Sequence, residues 1–331
     1  MPQGLATFVI SLDCELHWGV HDRVELEAYR RNLEGGRQLV APMLDLFERY
    51  GIRATWATVG LLFARSRREV DGLSPRRRPA YTEAALSAYR LFDTLGEDEE
   101  ADPLHYAASI INAVGARAGQ EIASHTFSHY YALEPGQDAA DFRADLLAAK
   151  AAAAVHGYEL TSLVFPRNQV RADYLPVLAA AGFSAYRGTP RAWPYRPHAG
   201  AQPSLLRRGL RLADSHVPLL DTTAAPRVHS DVAGLVDVPA TRYLRAWKPT
   251  FGRAQTLRFA RVRREMHRAA ETGGLVHLWW HPHDFGAHPR ENLAALVEIL
   301  EVYDGLHREG RMVSQSMRDV ANTMLAHPLP A

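Results

Sequence analysis

The sequence predicts an α/β fold around a mostly parallel sheet, on three observations. Short apolar runs of β character alternate with segments of helical period along most of the chain. Several helical segments stop at a glycine (Gly51, Gly119, Gly157, Gly182), and the next apolar run follows within a few residues. Each apolar run ends in polar residues, and in parallel sheets a functional site collects at the carboxyl ends of the strands.

Thr7 to Leu12 reads as a buried first strand that delivers Asp13 and Glu15 into a loop containing Gly19. Leu39, Met43, Leu46 and Tyr50 recur at helical spacing, and Arg53 to Val59 reads as the second strand. Residues 66 to 102 break the rhythm. Arg65, Arg67, Arg68, Arg76, Arg77 and Arg78 precede the acids Glu97, Asp98, Glu99, Glu100 and Asp102, and the part reads as an insertion, helical from Thr82 to Leu95, over one end of the sheet. Pro103 to Ala118 reads as a helix and Glu121 to Ser124 as a strand leading into His125. A helix from Asp138 to Val155, a strand from Thr161 to Phe165 and a helix from Asp173 to Ala181 follow. Pro190 to Pro239 shows only short β-like pieces such as Leu235 to Val238 and yields no order of elements. A basic helix from Arg253 to Ala270 precedes the strand Leu275 to Trp280, and helices near 290–308 and 314–325 close the chain. With no internal repeat and no low-complexity linker, 1–331 reads as one domain.

Composition narrows the class. With 331 residues, 47% of them hydrophobic and 23% charged, the chain can bury a core without disulfides and lies outside the disordered and fibrous classes. A formal charge of +1 gives no argument for nucleic acid, and the arginine stretches lack the interleaved aromatics of nucleic-acid modules. All but Lys150 and Lys248 of the 38 basic residues are arginine, a bias that reads as genome composition. The single cysteine, Cys14, rules out an intramolecular disulfide framework and a multi-cysteine zinc site, and suits a reducing compartment. The first residues lack the basic start of a signal peptide, and no apolar stretch nears the ~20 residues of a membrane helix. A cytoplasmic setting is expected.

Four separated segments each place metal-binding or proton-transferring residues just after an expected strand. In Ser11-Leu12-Asp13-Cys14-Glu15, positions two apart on a strand point the same way, so both carboxylates can face the barrel mouth; one can bind a metal and the other act as a base, or both can be solvated acids. In His125-Thr126-Phe127-Ser128-His129 an i, i+4 pair on one face of a helical turn can bite a single cation. Phe165-Pro166-Arg167-Asn168-Gln169 offers an arginine that can hold a catalytic carboxylate ionised, or simply sit in a turn. In His277-Leu278-Trp279-Trp280-His281-Pro282-His283-Asp284-Phe285 a histidine among indole rings can protonate a leaving amine, while the rings form either a sugar-stacking wall or core.

Together these segments resemble the polysaccharide deacetylase, or NodB-homology, family, of the carbohydrate esterase 4 type, and the likeness spans most of the chain from the first strand to His281. The family's first motif is usually Thr-Phe-Asp-Asp-Gly; Ser-Leu-Asp-Cys-Glu resembles its Asp-x-Asp or Asp-x-Glu variants. The family's His-x-x-x-His motif matches His125 and His129 directly. Its Arg-x-Pro-Tyr motif is altered to Pro166-Arg167-Asn168-Gln169, and its Leu-x-His motif is similar to Trp279-Trp280-His281. The resemblance implies a distorted (β/α)7-type barrel, with Asp13 as base, Glu15, His125 and His129 as ligands of one divalent metal (zinc, with cobalt, nickel or iron also suited), Arg167 as partner of Asp13 and His281 as general acid. Trp18, Asn168, Gln169, Trp280 and His283 are expected to contact the substrate.

The departures from the usual motifs resemble those of members acting on sugar precursors or lipid-linked sugars. They imply an N-acyl amino sugar as substrate, nucleotide- or lipid-linked, in lipopolysaccharide O-antigen or other surface polysaccharide synthesis, with transient contact at a membrane surface. The arginines of 65–78, and Arg258, Arg261, Arg264 and Arg268 opposite the apolar stripe Phe259, Val262, Met266 and Ala269, are expected to grip its phosphate. Two other readings stand beside this one: an allantoinase-like hydrolase of a non-sugar amide, and a metal-free barrel that only binds carbohydrate.

Overall fold

The computed structural model describes residues 5–326 except 191, 201–203, 218, 221–224, 226, 229–231 and 253. Its strands are β1 (Ala6–Cys14), β2 (Ala54–Thr58), β3 (Glu121–Ser124), β4 (Ser162–Leu163), β5 (Ala185–Tyr186), β6 (Arg227–Val228), β7 (Val236–Asp237), β8 (Arg242–Tyr243), β9 (Leu275–Trp280) and β10 (Met312–Ser314). They form one sheet in the order β6-β7-β5-β4-β3-β2-β1-β9-β8, with β10 pairing β1 outside that path. Every pairing is parallel except β6 with β7. The segment from Val238 to Thr241 carries the chain from one end of the sheet to the other. Val238 N–H donates to Tyr186 O at 2.9 Å, Ala240 N–H to Gly188 O at 3.0 Å and Thr241 N–H to His277 O at 3.0 Å. The sheet thereby curls into the distorted (β/α)7-type barrel.

β1 is buried along almost its whole length, as a strand in a sheet covered on both faces must be, and its apolar residues join Trp56, Leu278 and Trp280 in the core. The surrounding helices are α1 (Leu26–Arg49), α2 (Arg67–Leu73), α3 (Ala108–Gly115), α4 (Ala139–Val155), α5 (Leu175–Ala180), α6 (Leu205–Asp214), α7 (Ala254–Thr272), α8 (Pro282–Phe285), α9 (Pro289–Arg308) and α10 (Met317–Ala326). Asp138 caps α4 by accepting from Ala140 and Asp141, while the Asp141 carboxylate accepts from Asp138 N–H, a reciprocal capping box. No helix among the described residues is long and apolar enough to cross a membrane.

Several expectations are corrected. The helix expected over 103–118 shortens to α3, and the expected helical part of 82–95 is two 3₁₀ turns, Ala84–Leu86 and Ala88–Thr94. The region from 190 to 239 contains a helix, α6, not expected from the sequence although Leu205, Leu206, Gly209, Leu210 and Ala213 recur at helical period; Leu205, Leu206 and Leu212 are nonetheless 81%, 65% and 38% exposed, and Ser204 starts the helix by accepting from Arg207 N–H. Arg258 and Arg261 do not share an accessible face of α7. Both are buried, with Arg258 donating to His216 and Arg261 lying 3.2 Å from Glu265 and 3.5 Å from Asp214. Arg253 lies outside the described residues. In the insertion, Arg65 pairs with Glu69, Arg67 with Asp71 and Asp93, and Arg77 with Asp138 and Asp141, so these charges are already matched.

Candidate active site and metal centre

The carboxyl ends of β1, β3, β5 and β9 bring the titratable groups together. Glu15 follows β1 directly, is 3% exposed, and its Oε2 lies 3.1 Å from His125 Nε2 and 3.0 Å from His129 Nε2. The other nitrogen of each ring decides what this contact can be. His125 Nδ1 lies 2.9 Å from the carbonyl of Val164, which can only accept, so Nδ1 carries the proton. His129 Nδ1 lies 3.1 Å from Tyr131 Oη, whose own hydrogen goes to Asp22 Oδ1 at 3.2 Å, so this Nδ1 is also a donor. Burial first, with His125 and Arg167 adding to it against Glu15, pushes His129 down to about 4, so it is neutral. A neutral, Nδ1-protonated ring turns the lone pair of Nε2 toward a carboxylate oxygen. Two acceptors facing each other at 3.0 Å repel, and a cation between them removes the conflict. The donor set therefore fits a divalent metal, and Glu15, His125 and His129 offer ligand atoms all within 4.8 Å of one another.

The histidine pair is held by a loop, not by the helical turn expected from its spacing. Thr126 and His129 have φ of 63° and 56°, which no α-helix accommodates. In place of helical hydrogen bonds, the buried Asp145 of α4 accepts from Phe127 N–H, Ser128 N–H and Ser128 Oγ–H, and Thr126 Oγ1 accepts from Tyr130 N–H. Among the described residues, every non-glycine residue with positive φ belongs to one of these site loops: Leu16, Thr126, His129, Arg167 and Asn168. Backbone strain collects where the chemistry is built. Gly19 leaves room for Glu15, because a Cβ there would stand 1.9 Å from the Glu15 carboxyl carbon.

Asp13 is held by Arg187, not by Arg167. Arg187 is fully buried and grips Asp13 through two bonds, Nη1 to Oδ1 at 2.6 Å and Nη2 to Oδ2 at 2.7 Å. It also donates to Ser11 Oγ and Asn168 Oδ1, and its guanidinium lies 4.3 Å from the Trp279 ring centroid. Burial alone would raise the Asp13 pKa, but Arg187, with His125 and His281, outweighs it and holds the carboxyl below the usual range. Sequence reasoning missed Arg187, although it stands directly after β5, the position that singled out the other site residues. Arg167 instead pairs with Asp22 and lies 4.0 Å from the Tyr131 ring, so it secures the Asp22–Tyr131–His129 chain behind the candidate metal ligands.

His281 ends β9. Its Nε2 lies 3.8 Å from Asp13 Oδ2 and 3.7 Å from Glu15 Oε1, and its Nδ1 is 2.7 Å from Asp284 Oδ2. Burial works against a charge here, yet Asp284, Glu15 and Asp13 overcome it and raise His281 to about 9. His283 is buried beside it, with Nε2 3.9 Å from Glu15 Oε1. The remaining expected contacts divide. Asn168 lines an open cleft beside the site. Trp18 is fully buried and donates to His105 O, Trp280 is fully buried and stacks on Phe285, and Gln169 is fully buried between Leu133 and Glu134. These three offer no face to a ligand; alternation along β9 turns Trp279 to the cleft in place of Trp280.

By sequence the chain matches no protein-family model and no curated protein. By structure it is similar to a protein assigned as a polysaccharide deacetylase from Mycobacterium smegmatis, at 18% identity and a TM-score of 0.62, over 100% of this chain and 94% of that one. It is also similar to a 4-alpha-glucanotransferase from Thermococcus litoralis (10% identity, TM-score 0.55, 99% of this chain and 41% of that one) and to a GH57-type branching enzyme from Pyrococcus horikoshii (12%, 0.55, 98% and 71%). Likeness at these identities is likeness of fold, and the fold this chain carries is the polysaccharide deacetylase type of distorted barrel.

Proposed function

We propose that the protein is a metal-dependent hydrolase that removes an N-acyl group, acetyl or formyl, from an amino sugar. The observation that carries this reading is the pair of imidazole Nε2 atoms turned on Glu15 beside an arginine-held Asp13 and a His281 raised to about 9. A divalent cation, zinc or another metal suited to the same ligands, supplies Lewis-acid polarisation of an acyl carbonyl and lowers the proton affinity of a water when bound by Glu15, His125 and His129. Asp13, kept ionised by Arg187, accepts the proton of the attacking water. His281, kept protonated and aimed by Asp284, delivers a proton to the departing sugar nitrogen, without which an amine is a very poor leaving group. As a surface-polysaccharide precursor deacylase it acts on the cytoplasmic side.

The glucan-transferring enzymes of similar fold raise glycoside chemistry as a second reading. That chemistry needs a carboxylic acid held protonated to attack the glycosidic oxygen. Here both Asp13 and Glu15 are held ionised, which favours the deacylase. The test is amine release from N-acetyl and N-formyl amino sugars by metal-loaded and chelated protein. Sugar release from an α-glucan with no amine release from any N-acyl sugar would refute the proposal.

A further inference from the structure

A cleft of about 770 Å³ opens beside the site, in the upper part of the ~300–1,000 Å³ range of small-molecule sites. Trp279 and Asn168, which both touch Arg187, form its inner end together with Tyr243, whose hydroxyl donates to Asp284, the partner of His281. Its walls hold Arg23, Arg167, Arg196, Arg208, Arg211, Arg242 and Arg245, and none of its described lining residues is acidic. Arg167 and Arg242 are neutralised by carboxylates behind the wall. Arg196, Arg211 and Arg245 form no ion pair with a carboxylate among the described residues.

Arg211 is the informative member. It is half-buried, its Nε–H goes to the carbonyl of Pro194 at 2.8 Å, and burial, with the nearby charges of Arg207 and Arg245, holds its guanidinium below its usual range against the pull of Tyr195. Gathering unpaired guanidinium groups in a cleft costs folding free energy, which a bound anion returns. Several forks around one space suit a group with several oxygens and more than one charge better than a lone carboxylate, which a single arginine satisfies.

On the deacylase reading, we propose that this cleft seats a phosphate or diphosphate group borne by the amino-sugar substrate, held by Arg196, Arg211 and Arg245, while the acylated nitrogen reaches His281. The cleft then does what Arg65, Arg67 and Arg77 of the insertion, already matched, and Arg258 and Arg261 of α7, turned inward, do not.

Two readouts separate this proposal from the reading beneath it. Calorimetric titration of the metal-loaded protein with inorganic pyrophosphate needs no turnover. Binding should weaken at least tenfold in Arg211→Gln/Arg245→Gln, and Arg211→Lys/Arg245→Lys should recover part of it. If the double variant does not fold, Arg196→Gln, at an exposed position, should weaken binding at least threefold. Unchanged pyrophosphate binding in these variants overturns the proposal, as does tighter binding of glucuronate than of glucose 1-phosphate, which would assign the cleft to a carboxylate. Amine release is then compared for N-acetylglucosamine, its 1-phosphate, a nucleoside-diphosphate form and a polyprenyl-phosphate form. The kcat/KM preference for the phosphorylated forms over the neutral sugar should fall at least tenfold in the double variant, and the preferred form names the carrier. No amine release from any of them by the wild type, with arginine-dependent pyrophosphate binding intact, overturns the deacylase reading and leaves the anion site standing.

Discussion

At the scale of the residue, the division of labour between two neighbouring carboxylates is testable. Asp13→Asn should retain one metal per chain and lose at least ~10²-fold in kcat, whereas Glu15→Gln should lose the metal, as measured by elemental analysis alongside rates. Metal lost from the first variant and kept in the second would exchange the two roles. Asp284→Asn removes the strongest of the influences that raise His281, so His281 should lose its proton at lower pH. The alkaline limb of the pH profile of kcat/KM should therefore move toward acid; an unmoved limb would mean that another group sets it. At this scale the sequence was legible wherever a donor sits at or directly after the end of a strand, as Asp13, Glu15, His125 and His281 do. It was not legible for the partner of Asp13. Arg187 follows β5 directly, whereas Arg167 comes after Val164, Phe165 and Pro166 in the loop beyond β4, where the left-handed turn at Arg167 and Asn168 sends it toward Asp22.

At the scale of the element, what places His281 and His283 is the close seating of α8 on α1. A Cβ at Gly36 would stand 2.4 Å from His283 Cα, and one at Gly35 would stand 2.2 Å from Gly286 O. Gly36→Ala must push α8 outward. A loss of ~1–3 kcal/mol of stability is expected from such overpacking, with a fall in kcat that exceeds the change in metal content. The loop after β3 gives a second test. Asp145 replaces the helical hydrogen bonds there, so Asp145→Ala should weaken metal binding ~10–100-fold, the usual cost of losing a group that orients ligands. Chelator competition reads this directly, and affinity equal to wild type would show that the loop holds itself. The histidine spacing suggested a helical turn because i, i+4 is what a helix brings together; a loop with two left-handed residues achieves the same convergence and leaves no mark in the hydrophobic period. α6 is a different case: its apolar residues do recur at helical period, but ten residues set among prolines and glycines do not stand out as an element.

At the scale of the whole molecule, the alternation of strands and helices was legible outside 190–239, because a sheet buried on both faces imposes near-continuous apolar runs. The barrel closure through Val238–Thr241 was not, since it rests on isolated backbone hydrogen bonds and on polar contacts of the Thr241 and His277 side chains, none of which leaves a hydrophobic period. The proposed metal ligands lie at residues 15, 125 and 129, so a bound metal would tie distant parts of the chain together. Saturating metal at ~1,000 times its Kd should add ~4 kcal/mol, seen as a fall in Tm on chelation that His129→Ala abolishes. In chelated protein, the raised His281 contributes stability in full below its ordinary 6.5 and loses it as pH rises through about 9. Tm should thus fall between pH 7 and 9, and His281→Gln should flatten that fall. Gly19 gives a different perspective on such barrels. The seat of the Glu15 carboxyl is negative space, the volume of a methyl group that position 19 does not carry. A descendant could keep Asp13, Glu15, His125, His129 and His281 intact and still be silenced by one alanine, while reading, by any inventory of its donors, as a working enzyme. Drift away from catalysis in this fold can therefore begin at a residue that has no side chain to lose.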